Sequence, residues 1–167
     1  MPRHAALIPL SHDHHHALVL ALRLKKGGPA SQNDRGWPTD ISGQLQSTLE
    51  FAKDELLPHF LIEEEILYPA AREQRSESLD LLIGQLLEDH TSMRAVLHDL
   101  KSTQAPESEI LGQLQQFGAQ LGKHIRREER ELFPLIEQLV PPSQLQGLSD
   151  AIVAAHLPGS HFRNCAL

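Results

Sequence analysis

His59-Phe60-Leu61-Ile62-Glu63-Glu64-Glu65-Ile66-Leu67-Tyr68-Pro69 returns 65 residues later as His124-Ile125-Arg126-Arg127-Glu128-Glu129-Arg130-Glu131-Leu132-Phe133-Pro134. In each copy the histidine and the first glutamate are four apart, the spacing that places two side chains on one face of a helix. The same face carries apolar residues at helical intervals: Leu56, Phe60 and Leu67 in one copy, Leu121, Ile125 and Leu132 in the other. Each copy therefore reads as a helix whose buried stripe holds a histidine and a carboxylate. A second element repeats as well, Leu10-x2-Asp13-His14 ahead of the first copy and Leu86-x2-Asp89-His90 ahead of the second.

Composition agrees with helices packed on helices. Aromatic residues make up 4% of 167 residues, and Leu, Ala, Gln and Glu dominate over β-branched types. The length suits one domain, taken here as residues 1–167. Breakers divide the chain into a first helix of about Ser11 to Lys26 ended by Gly27-Gly28-Pro29, and a polar loop over Ser31 to Pro38. A second helix, capped by Thr39 or Asp40, should reach about Arg72. A third helix opens at Ser76 and runs to about Ser102. A fourth starts at Pro106 and reaches about Val140, and a short fifth covers Pro142 to His156 before an irregular tail. The expected architecture is all-α, an up-down-up-down four-helix bundle over about 11–140 with a short C-terminal fifth helix. Pro58, Pro69 and Pro134 should bend the second and fourth helices.

A formal charge of −7 leaves no basic footprint for nucleic acid. Cys165 is the only cysteine, which excludes an intramolecular disulfide and a thiolate cluster, so any metal must be held by N and O atoms. The absence of an apolar run of about 20 residues gives no membrane span, and Met1-Pro2-Arg3-His4 lacks a signal core, so the expected compartment is the cytoplasm.

Four histidines and two glutamates, one contribution or more from each bundle helix, form the candidate metal set: His14, His59, Glu63, His90, His124 and Glu128. An ionised carboxylate on an apolar face costs several kcal/mol unless it is paired or metal-bound, and two ions remove that cost. With both glutamates bridging, each ion has two nitrogens, two oxygens and one or two open positions, which suits iron or manganese and tolerates zinc. Iron is the choice here, and open positions point to binding or redox chemistry.

Within the run His12-Asp13-His14-His15-His16, the internal match selects His14, with His15 as the alternative. His12 and His16 should face solvent, and His98, His156 and His161 read as ordinary polar residues. Asp13 and Asp89 are placed either as acceptors for a ligand histidine's N–H or as first-turn surface groups. Glu64, Glu65, Glu129 and Glu131 read as solvated charges or partners of Arg126, Arg127 and Arg130, and Tyr68 as packing.

These motifs, spanning about residues 7 to 140, resemble those of the hemerythrin-like, or HHE cation-binding, domain. The resemblance implies a four-helix bundle around a non-haem di-iron centre bridged by an oxygen species and two carboxylates, with the six residues above as ligands. Oxygen-carrying hemerythrins have a further histidine where this chain has Arg94, and they end their set with an aspartate five residues after the fourth-helix histidine. Here Glu128 stands at four and Glu129 at five. The set looks closer to that of the repair-of-iron-centres proteins, without their N-terminal cysteine-bearing domain. The implied function is a di-iron protein that binds or senses O2, NO or peroxide, or handles iron under redox stress. The alternative is an enzyme reducing NO or peroxide, or repairing iron–sulfur clusters, at the same site. The implied partners are a small diatomic ligand or peroxide, with no nucleic acid and no membrane.

Overall fold

The computed structural model describes residues 3–27 and 36–163. Gly28, Pro29, Ser31 to Arg35 and Cys165 lie outside the described residues. A 3-10 turn, Ala5–Leu7, leads directly into α1, Ile8–Lys26. This helix starts earlier than Ser11 because Pro9 fits its first turn, where a missing N–H costs nothing. Ser11 is consequently free of capping, and its hydroxyl donates instead to Glu129 Oε1 at 2.7 Å.

α2 runs without interruption over 41–72, with Asp40 as its cap accepting from the Gly43 N–H. α3 is Glu77–Ser102, capped by Ser76. α4 covers 107–139, and α5 is Pro142–Ala155. The bundle is all-helical, with no strand among the described residues, and α5 lies across the end where α1 begins. No described helix is long and apolar enough to cross a membrane.

The three interior prolines act in a way more specific than bending. Ahead of each lies one π-helical turn: Ala52–Leu56 before Pro58, Glu63–Leu67 before Pro69, and Glu128–Leu132 before Pro134. The residue preceding each proline donates its N–H five residues back, Leu57 to Ala52, Tyr68 to Glu63 and Phe133 to Glu128. Proline has no N–H and its ring crowds the carbonyl four residues earlier, so a widened turn relieves the clash. The carbonyl of Glu129 then lacks an intrahelical donor, and the Arg3 guanidinium supplies one at 2.9 Å.

α1 and α4 approach closely at Gly118. A Cβ there would stand 2.7 Å from the Leu24 Cβ and 2.9 Å from the Ala21 carbonyl oxygen, so glycine sets the spacing. The apolar core is in two parts. One holds Leu10, Leu67, Leu86, Leu132 and the inner face of α5, including Ile152. The other holds Ala17, Phe60, Met93, Leu97, Leu121 and Ile125. Between them, on all four bundle helices, lies a layer of buried histidine and glutamate.

Candidate metal centre

The periodicity that builds the core also builds this layer. His14 lies between Leu10 and Ala17 on the inner stripe of α1, and His90 between Leu86 and Met93 on that of α3. His59 with Glu63 on α2, and His124 with Glu128 on α4, complete it. All six side chains are at most 4% exposed. Within the histidine run it is His14 that lies in this layer, while His15 turns to solvent.

The six side chains form two overlapping groups, His14, His59, Glu63, Glu128 and Glu63, His90, His124, Glu128, each with ligand-capable atoms within 4.8 Å of one another. Both glutamates belong to both groups. Glu63 Oε1 lies 3.2 Å from His59 Nε2 and 3.7 Å from His14 Nε2, while its Oε2 is 3.4 Å from His90 Nε2. Glu128 Oε2 is 3.2 Å from both His14 Nε2 and His124 Nε2.

A ring of carboxylates orients the imidazoles from behind. His14 Nδ1 is 2.7 Å from Glu129, His59 Nδ1 3.0 Å from Asp13, His90 Nδ1 2.7 Å from Glu64 and His124 Nδ1 3.4 Å from Asp89. A carboxylate only accepts, so each Nδ1 carries the hydrogen and each Nε2 faces the centre. Glu64 and Glu129 are thus half-buried supports rather than the solvated charges expected of them. Their guanidinium partners are Arg94 and Arg3, not the arginines of α4. The π turns account for this, because a wider turn keeps consecutive glutamates on one side of the helix.

The same widening brings the residue five after each central glutamate beneath it. Phe133 stacks on His14 with centroids 5.3 Å apart, and Tyr68 on His90 at 5.9 Å. Tyr68 is more than packing, since its hydroxyl donates to Glu128 Oε1 at 2.8 Å. His156 also departs from the ordinary polar role, because its Nε2 lies 2.9 Å from Asp13 Oδ2. His98 is exposed, and His161 meets Glu65 at the surface.

Electrostatics in the layer are sharply biased. Burial disfavours charge on His59 and His124, yet Glu63 and Asp13 push the first up to about 9, and Glu128 and Asp89 push the second up to about 10. His14 is held well above its ordinary value, against burial, by Glu128, Glu129 and Glu63. Burial and the nearby Glu63 oppose ionisation of Glu128, but His124 and His14 outweigh them and bring it to about 2. Glu63 is likewise driven well below the usual carboxylate range, against burial, by the surrounding histidines. Burial and the facing carboxylates raise Tyr68, which keeps its proton.

Several of the donor atoms are paired by charge but make no hydrogen bond. His14 Nε2, both oxygens of Glu63 and Glu128 Oε2 are buried without a hydrogen bond. The Nε2 atoms of His90 and His124 face each other at 3.1 Å, an arrangement that a shared cation relieves. Orphaned anionic oxygens at the centre of a bundle are costly alone and are satisfied by cations, so these residues fit a pair of metal ions.

The family model of the hemerythrin HHE cation-binding domain matches residues 6–136. No curated protein and no solved structure matches the chain. With its model matched over most of its length, the chain belongs to the hemerythrin HHE cation-binding family.

Proposed function

We propose that this chain is a non-haem di-iron protein that binds or senses a small oxidant, O2, NO or peroxide, or handles iron under redox stress. His14 and His59 would hold one ion and His90 and His124 the other, with Glu63 and Glu128 shared. The observation that carries this reading is the set of orphaned buried atoms, on two carboxylates common to two His2Glu2 groups. Nitrogen and oxygen donors without thiolate suit iron, with manganese or zinc as the other fits. When bound, the metals supply redox-active open positions for a small ligand.

The chain's own contribution is selection by size and dryness. A cavity of about 10 Å³ adjoins His14, His59 and His124 and is walled by Ala17, Phe51, Leu56, Phe60 and Ile125. That volume admits about one water-sized molecule, which supports a small ligand such as a diatomic at the layer. The same reading takes residues 1–167 as one domain acting in the cytoplasm, and a charge of −7 gives no surface suited to nucleic acid.

An enzymatic reading, reduction of NO or peroxide or repair of iron–sulfur clusters, uses the same layer. Tyr68 favours it, as a protonated hydroxyl held against a shared carboxylate in a dry site. Mixing reduced, iron-loaded protein anaerobically with NO and then with O2 tests both. A reversible adduct in fixed stoichiometry supports binding or sensing. Sustained turnover with a reductant supports the enzyme, and no spectral response to either gas contradicts both.

A further inference from the structure

The buried layer poses a problem of access, since its six side chains are at most 4% exposed. Metal ions need a route through the bundle wall, and the four corners of the layer differ in what they offer. Behind each histidine stands a carboxylate, and behind three of these stands an arginine. Glu64 is held by Arg94 at 2.7 and 3.0 Å, Glu129 by Arg3 at 2.7 Å, and Asp89 lies 3.5 Å from Arg127. A guanidinium is permanently charged and has no lone pair, so it repels an approaching cation and cannot ligate it. Among the described residues the fourth corner, behind His59, is different: Asp13 meets His156, the C-terminal cap of α5, whose Nδ1 also donates to the Ile152 carbonyl at 2.8 Å, and an imidazole, unlike a guanidinium, becomes a ligand on giving up one proton.

This corner also has an opening. A pocket of about 260 Å³ is lined by Asp13, His16, Glu55, Pro58, Ile62 and His156, with His59 in its wall. It shares Asp13, Glu55 and His59 with the small cavity beside the layer, so these side chains stand between the two. At its mouth His16 Nδ1 and Glu55 Oε2 are 3.2 Å apart, both well exposed. The pocket thus offers imidazole and carboxylate donors in sequence, from a solvent-facing pair to a half-buried pair to His59 itself.

We infer that this pocket is the port through which divalent metal ions reach the buried centre, with His16 and Glu55 as the capture pair and Asp13 and His156 as the relay to His59. The inference rests on the di-metal reading above. It also gives α5 a role beyond covering apolar surface, since its cap residue His156 stands where the other corners carry arginine.

The test is the rate of metal uptake by the full metal-free chain, using Co(II) as the probe and its ligand-field absorption as the readout. Glu55→Gln combined with His16→Gln should slow the bimolecular phase by about tenfold or more, the scale of effect when charge focusing is removed, while leaving the final spectrum and stoichiometry unchanged. His156→Arg, which gives this corner the permanent cation of the other three and no ligand atom, should slow it at least as much. Glu50→Gln, in a separate surface groove, should load at the wild-type rate. Wild-type rates in either of the first two variants overturn the port. A wild-type chain that takes up no Co(II) overturns the di-metal reading, and the port with it.

Discussion

The Tyr68 hydroxyl on α2 donates a 2.8 Å hydrogen bond to Glu128 Oε1 on α4, joining the two repeated motifs across the bundle axis. Its counterpart in the second motif, Phe133, shows that an aromatic ring alone satisfies the packing there. Tyr68→Phe should therefore fold, but it removes the donor from a buried carboxylate oxygen. Urea denaturation of the metal-free variant should show a loss of about 1–3 kcal/mol. An unchanged midpoint would show that the hydroxyl contributes nothing to the layer.

Glu64 and Glu129 fix the tautomer and angle of His90 and His14 from behind. Glu64→Gln should leave the fold intact and weaken metal binding by about 10–100-fold, the usual effect of removing an outer carboxylate support. Competition against a chelator of known affinity measures it. Glu131→Gln, on the solvent side of α4, serves as the comparison and should bind as the parent does.

Protons and metal ions compete for the same nitrogens, so pH reads the layer directly. His59 and His124 are raised from 6.5 to about 9 and about 10, so their ion pairs stabilise the metal-free fold fully below about pH 6.5. That stability is lost as pH rises through 9 to 10. Glu129, lowered from 4.5 to about 2 against its burial by His14 and Ser11, contributes fully above 4.5 and loses its contribution as pH falls toward 2. The metal-free protein should be most stable between about pH 4.5 and 6.5, as followed by denaturant midpoints. Metal binding at neutral pH should release protons, measurable by calorimetry in buffers of different ionisation enthalpy.

Pro134 enforces the widened turn that lets Glu128 and Glu129 serve the same face. Pro134→Ala restores an N–H and removes the ring clash, allowing the turn to tighten to ordinary α geometry. The metal-free variant should be at least as stable as the parent, while its metal affinity falls. A variant that gains stability and binds metal unchanged would show that the turn holds its shape without proline.

Much of this architecture was legible in the chain. Asp40, Ser76 and Pro106 mark the starts of α2, α3 and α4, and the match of Asp13-His14 to Asp89-His90 points to His14 rather than His15, which is exposed. The departures have two causes. Glu64 and Glu129 read as solvated charges or partners of Arg126, Arg127 and Arg130, and the π turns that set their direction carry no sequence signal beyond the prolines that follow. A proline signals disturbance without saying whether the helix kinks or widens. Ser11, Arg3 and His156 escaped because their partners Glu129 and Asp13 lie more than 100 residues away, at distances that local spacing does not encode.

If the six buried side chains hold two metal ions, metal analysis of natively purified protein reads them out without any assumption about the ligand they serve. Close to two ions per chain are expected, iron foremost, with a clear loss of both metal and thermal stability on His124→Ala. A metal-free protein whose stability is indifferent to that substitution would contradict the di-metal reading.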